Sequence, residues 1–215
     1  MKLFRMLAIA ALALVSSASA QAGVVLSNRA AGVSTGGIDD NTGTKRNAVG
    51  FTTANSFTVD YVAAAIFGIA SPSVVPMKLG IYNNDGGVPG TTLITESAET
   101  NVGGGSPPPF TTFNFTDNST RTLAAGSYWV VITQTATDAA WYRAVDSTNP
   151  TDPNTPPSGV TYVSSLYREG VTWNSTGTRT FELAGTVNNN TVPEPALTSL
   201  LCLGGVALIR RRLKK

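Results

Sequence analysis

"MKLGIYNNDGGVPGTTLITE", residues Met77–Glu96, is the stretch of this chain that decides the predicted fold. Its start alternates, with Met77, Leu79 and Ile81 on one face of an extended strand and Lys78, Gly80 and Tyr82 on the other. The Asn-Asn-Asp-Gly-Gly run that follows is typical of a tight turn, because Asn, Asp and Gly tolerate positive φ. The segment therefore predicts two strands joined by a tight turn.

The same two-residue alternation occurs along much of the chain and is separated by turn-rich pieces. The stretch Ser56–Ala70 predicts one long strand, although its alanine run also allows a helical turn. Eight to ten short strands connected in this way predict an all-β fold, a single antiparallel β-sandwich that is jelly-roll-like. Other alternating segments are "FTTFNFT" at 110–116, "SYWVVITQT" at 127–135, "AAWYRAV" at 139–145 and "RTFELAG" at 179–185.

The N-terminus has the three-part layout of a secretory signal peptide. Lys2 and Arg5 precede an apolar run, Met6–Val15, and small residues then lead to Ala18 and Ala20. A signal peptidase is expected to cut after Ala20. The alternative, an N-terminal membrane anchor, requires a longer apolar run than this one.

The C-terminus combines a Pro-Glu-Pro triplet, an apolar run and a basic tail. Residues 195–209 carry no charge, and a helix of that length reaches about 22 Å, short of the roughly 30 Å of a bilayer core. Positive residues are retained on the cytoplasmic side, which predicts that the domain before the tail lies outside the cytoplasm. The residues that define this pattern are Pro193, Glu194, Pro195, Arg210, Arg211 and Arg212.

These three parts, with Gly204 and Gly205 inside the apolar run, resemble a PEP-CTERM sorting signal. The resemblance implies an exosortase-like membrane enzyme as a partner that recognises and processes the tail. It also implies secretion and a link to exopolysaccharide or biofilm matrix. The alternative is an ordinary single-pass C-terminal anchor that follows Pro-Glu-Pro.

The segment Leu79–Glu96, together with "LAAGSYWVVIT" at Leu123–Thr133, resembles the exported bacterial modules named choice-of-anchor R. That resemblance covers about residues 47–184 and implies surface display, with no settled biochemistry. The predicted organisation is a signal peptide at 1–20, an N-terminal extension or first strand at 21–46, a β-sandwich at 47–187, a linker at 188–192 and the sorting signal with its membrane helix at 193–215.

The charge of the predicted domain differs from that of the whole chain. Seven of the 15 basic residues and one of the 13 acidic residues lie in the two ends, which leaves 8 basic and 12 acidic residues, a net charge of −4, for residues 21–192. A nucleic-acid partner is therefore not expected, since phosphate neutralisation needs clustered Lys and Arg.

Catalysis is not expected from this composition. The chain has no histidine, and Cys202, its one cysteine, lies in the apolar tail, so the usual nucleophile and base pairs cannot be built. The common zinc ligands are missing for the same reason, and no cofactor is predicted. A secreted hydrolase that uses paired carboxylates is the distant alternative.

Two loops rich in Asn, Asp and Gly are weak candidates for calcium. Ca²⁺ takes several oxygen ligands from a short flexible loop, which "GIDDNTG" and "NNDGG" superficially offer through Asp39, Asp40 and Asp85. Neither loop has the EF-hand register, and the same residue types suit strand-connecting turns. Turns are the predicted role.

Exposed aromatic residues of a β-sandwich can bind sugar rings, which makes a carbohydrate-binding module the second functional hypothesis. Trp129 lies in a strongly apolar strand and is predicted to be core. The candidates for glycan contact lie near turn-rich stretches: Trp141, Tyr142, Tyr167 and Trp173. The first hypothesis is a non-catalytic cell-surface or matrix protein.

Overall fold

The protein is described by a computed structural model over residues 21–40, 45–68, 74–103, 110–133, 139–145, 148–155 and 157–188. In these ranges the fold is all-β, with antiparallel sheets consistent with a β-sandwich, and a short 3₁₀ turn lies at Arg29–Ala31. Within the same ranges no helix has the length and apolar character needed to cross a bilayer.

Fifteen strands occur in the described residues, where the sequence predicted eight to ten. Several are too short to show an alternating pattern, which is why sequence analysis missed them. The strands are β1 Gln21–Ser27, β2 Val33–Asp40, β3 Arg46–Thr53, β4 Ser56–Gly68, β5 Val75–Met77, β6 Leu79–Asp85, β7 Val88–Glu96, β8 Thr100–Val102, β9 Phe110–Asn114, β10 Thr122–Leu123, β11 Gly126–Ile132, β12 Ala139–Ala144, β13 Val160–Glu169, β14 Thr172–Ser175 and β15 Glu182–Asn188.

Two main sheets contain most of these strands. One has seven strands, in the order β1-β15-β4-β12-β2, with β9 and β10 also paired to β4. The other has six strands, in the order β14-β13-β3-β11-β6-β7, and β5 pairs with β8 separately. The alanine-rich Ser56–Gly68 segment is therefore the strand β4, and no helical turn interrupts it.

The core lies between the two sheets and contains the residues that the alternation predicted. Leu79 and Ile81 of β6 are fully buried, and Phe51 meets Phe57 edge-on with ring centroids 6.4 Å apart. Edge-to-face contact is favourable because the positive edge of one ring meets the negative face of the other. The faces of the strands are thus set by the period-two pattern of the sequence.

The turn predicted between β6 and β7 is confirmed as a tight hairpin. Asp85 pairs with Val88, and the two residues between them are Gly86, at φ 59°, and Gly87, at φ 90°. Two successive positive φ values are accessible at little cost to glycine, so this turn depends on both residues.

Strands β1 and β2, which precede Arg46, belong to the folded domain. Strand β1 pairs with β15 and strand β2 pairs with β12, and residues 20–188 form one compact unit. A second unit, of residues 1–19 with 189–215, lies outside the described residues. The predicted cleavage residues and the predicted sorting residues also lie outside the described residues: Ala18 and Ala20, and Pro193, Glu194, Pro195, Arg210, Arg211 and Arg212.

Candidate functional site

The six-stranded sheet carries a second apolar cluster on its outer face, the face directed away from the other sheet. Trp129 lies at its centre, with 1% of its surface exposed, and its indole Nε1 donates a 2.8 Å hydrogen bond to Asn84 Oδ1. The prediction that Trp129 is buried is confirmed. The buried members of the cluster are Ala48, Trp129, Val131 and Leu166, and Tyr82, Val88 and Trp173 pack partly against them.

A groove of about 360 Å³ lies on this outer face, and we call it the outer-face groove. This volume falls at the lower end of the range of small-ligand sites in proteins. The groove combines two cations, two aromatic rings and hydroxyl groups. Its lining residues are Arg46, Tyr82, Pro89, Gly90, Thr91, Val131, Ile132, Thr133, Arg168 and Trp173.

Strand pairing brings three of these side chains into one row across the sheet. Arg168 of β13 is directly opposite Trp173 of β14 on one side and Arg46 of β3 on the other. Directly paired residues of antiparallel strands share a face, so the three side chains are neighbours. The Arg168 guanidinium carbon lies 5.3 Å from the centroid of the Trp173 ring, a cation–π contact.

The groove contains two partly buried cations, the guanidinium groups of Arg46 and Arg168. Burial lowers the pKa of Arg46, and the positive charge of Arg168 lowers this pKa further. Burial raises the pKa of the Tyr82 phenol, with a further contribution from Glu96. Because an arginine in a protein keeps its proton, Arg46 stays charged despite its lowered pKa, and Tyr82, with its raised pKa, is neutral at ordinary pH.

Two of the four aromatic residues predicted to contact glycan are buried. Trp141 is 0% exposed and donates a 2.7 Å hydrogen bond from Nε1 to the Thr180 carbonyl oxygen, and Tyr142 is 2% exposed. A sugar needs an accessible ring face, so these two residues are corrected from candidate contacts to buried residues.

The other two candidates, Tyr167 and Trp173, are both half-buried but lie on opposite faces of the sheet. Tyr167 is next to Arg168 in β13 and therefore points the other way, while Trp173 shares the face of Arg168. Only Trp173 lines the outer-face groove. Sequence analysis did not select Arg46, Arg168 or Tyr82 for this site.

The calcium candidates are separated by the fold. Asp85 is exposed at the β6–β7 hairpin, whereas Asp39 and Asp40 end strand β2, where their backbones pair with Trp141 and Ala140. The side chains of Asp39 and Asp40 lie outside the described part of the structure. In the described part, no three His, Cys, Asp or Glu residues group in a way that could hold a metal ion.

The outer-face groove can bind a ligand through ring stacking and charge-assisted hydrogen bonds.

No family model, curated protein or solved structure matches this chain.

Proposed function

We propose that this chain is an exported, non-catalytic cell-surface or extracellular-matrix protein whose β-sandwich binds polysaccharide. The observation that carries the binding part is the outer-face groove, where Trp173 and Tyr82 lie beside polar and charged groups. Aromatic faces offer apolar area to the C–H face of a sugar ring, and neighbouring polar groups orient its hydroxyls.

The export part of this proposal is supported by the two ends of the sequence. The layout of residues 1–20 favours cleavage by a signal peptidase, and residues 193–215 resemble a PEP-CTERM signal that an exosortase-like enzyme processes. We also propose that the sandwich is jelly-roll-like and related to the choice-of-anchor R modules. The absence of His from the chain supports a non-catalytic role.

The export proposal predicts a shortened protein outside the native host cells. Intact-mass measurement of the extracellular protein is expected to give a chain that begins at Gln21 and ends near Pro193–Pro195, with or without an attached group. A chain that still contains Arg210–Lys215 and is recovered only from membranes would show that the tail is a plain anchor.

The binding proposal predicts that truncation of Trp173 weakens polysaccharide affinity. We expect Trp173→Ala to raise the Kd by at least about tenfold, since an aromatic in a binding groove commonly contributes more than 1 kcal/mol. Titration calorimetry on the purified full chain in detergent, against neutral and acidic oligosaccharides, gives the Kd.

Tyr167→Ala is the matched control, because it removes a half-buried aromatic of the neighbouring strand from the opposite face of the same sheet. We expect its Kd to equal that of the unaltered protein. The proposal fails if the unaltered protein binds none of these oligosaccharides, or if both variants lose affinity equally.

A further inference from the structure

Two arginines face each other in the outer-face groove. Arg46 and Arg168 are direct partners in the antiparallel pairing of β3 and β13. Like charges in such positions repel, and this repulsion costs stability. The lowered pKa of Arg46 agrees with this, since burial and the charge of Arg168 both disfavour its cationic form. The fold therefore keeps two cations adjacent, and their repulsion lowers the free energy of unfolding.

The described part of the structure does not neutralise Arg168. In that part, its guanidinium contacts the Trp173 ring but no carboxylate, and its Nε is buried without a hydrogen-bond acceptor. Among the described residues, Glu96 lies 2.9 Å from Lys78 Nζ and Glu169 lies 3.9 Å from Lys45 Nζ, so each of these carboxylates pairs with another cation. In the described residues, Arg168 thus places a positive charge without a carboxylate partner in the groove of a domain whose net charge is negative.

We infer that the outer-face groove binds a carboxylate-bearing sugar residue, a uronic acid unit of an acidic polysaccharide, with its carboxylate between Arg46 and Arg168. This inference rests on the proposed polysaccharide binding and names its ligand class. The planar guanidinium fork matches the two oxygens of a carboxylate, and the bound anion removes the repulsion between the two cations. The sugar ring then lies beside Tyr82 and the exposed part of Trp173, since Arg168 covers one face of the Trp173 ring.

A nucleic acid fits this site less well. The domain carries a net charge of −4, and its groove has two cations in place of an extended basic stripe, so a polyphosphate backbone would be repelled outside the groove. A uronate unit places a single negative charge beside an apolar ring face. That combination matches the pairing of two guanidinium groups with two aromatic rings.

The test compares each uronate oligomer with its own methyl ester, which keeps the sugar ring and removes the charge. Oligogalacturonate and oligomannuronate are titrated into the full chain in detergent, each beside its methyl ester, with dextran sulfate as a third probe. We expect the free acid of at least one oligomer to bind at least about tenfold more tightly than its ester. Added salt is expected to shrink this difference.

The Arg46→Gln/Arg168→Gln double variant is expected to bind acid and ester equally, and Arg168→Lys is expected to keep part of the preference. Trp173→Ala is expected to weaken both forms. Arg121→Gln is the control for the loss of one guanidinium group outside the groove, where Arg121 Nη1 pairs with Asp60 Oδ1 at 2.7 Å, whereas the double variant removes two such groups. Thermal melting of each variant checks that it folds.

Each outcome separates the inference from the proposed function. Equal binding of acid and ester by the unaltered protein overturns the uronate inference and leaves polysaccharide binding intact, whereas no binding of any oligomer overturns both. If Arg121→Gln loses the preference for acid over ester as fully as the double variant does, the role of Arg46 and Arg168 is overturned. If dextran sulfate binds more tightly than the uronate oligomers, and this binding needs Arg46 and Arg168, the ligand group is a sulfate ester and the carboxylate assignment is overturned.

Discussion

Replacing Gly185 with alanine is expected to destabilise the folded protein by at least about 3 kcal/mol. A Cβ atom at this position would overlap the backbone carbonyl oxygen of Thr58 and come within 2.7 Å of Phe57 Cζ. Gly185 lies in β15 at a register shift, where the strand runs unusually close to β4. The missing side chain is what permits this approach.

Neither Thr58 nor Phe57 can move away from the added Cβ without a substantial loss of folding free energy. Thr58 pairs with β15 on one side and with Thr122 of β10 on the other, so its backbone is held from both edges. Phe57 is fully buried, and its ring packs against Phe51 in the main core. An added methyl group must therefore displace either a paired strand or a packed ring, and both cost free energy.

Urea denaturation gives the free energy of unfolding that checks this prediction. Gly103→Ala is the matched control, because Gly103 is exposed and an added Cβ there would meet none of the described residues within 4 Å. Its change is expected to stay within about 0.5 kcal/mol. A loss below about 1 kcal/mol for Gly185→Ala would mean that β15 and β4 do not approach as described.

Replacing Asn28 with alanine is the second large effect, with an expected loss of about 2–4 kcal/mol of unfolding free energy. The side chain is 4% exposed and connects three segments. Its Nδ2 donates to the carbonyl oxygens of Thr148, at 2.9 Å, and Arg179, at 2.8 Å, and its Oδ1 accepts from the backbone N–H of Phe181 at 2.8 Å. Alanine leaves these backbone groups without partners, two of them in buried bonds.

Asn28→Asp distinguishes this explanation from a simple loss of volume. Aspartate has nearly the same shape and still accepts from the Phe181 N–H, but it cannot donate and it places a charge in a buried site. We expect it to be at least as destabilising as Asn28→Ala by urea denaturation. Asn118→Ala, at an exposed turn position, is the control and is expected to be neutral. A stable Asn28→Asp variant would contradict the hydrogen-bond explanation.

Part of the candidate site could be predicted from local sequence. Trp173 was selected by its place near a turn, and Glu169 pairs with Thr172 across the two-residue turn of Gly170 and Val171. A hairpin of that form places Arg168 opposite Trp173, so this contact could have been predicted from the "REGVTW" stretch alone. The hairpin between β6 and β7 was predicted in the same way, from residues adjacent in the chain.

The rest of the site depended on contacts between distant segments. Arg46 meets Arg168 only because β3 pairs with β13 in one particular register, and no local pattern encodes that register. The burial of Trp141 also depends on distant segments, because its position beside turn-rich sequence is typical of a surface residue. It is buried because its strand β12 lies inside the seven-stranded sheet, between β4 and β2.

The sequence by itself determined the all-β class, the faces of strands such as β6 and the turn that follows it. These follow from period-two alternation and from the conformational freedom of glycine, which act over a few neighbouring residues. Only the tertiary structure decided that Arg46 joins Arg168 and Trp173 in one row and that Trp141 is enclosed. Strand order and register place distant residues together, and they are set by packing over the whole domain.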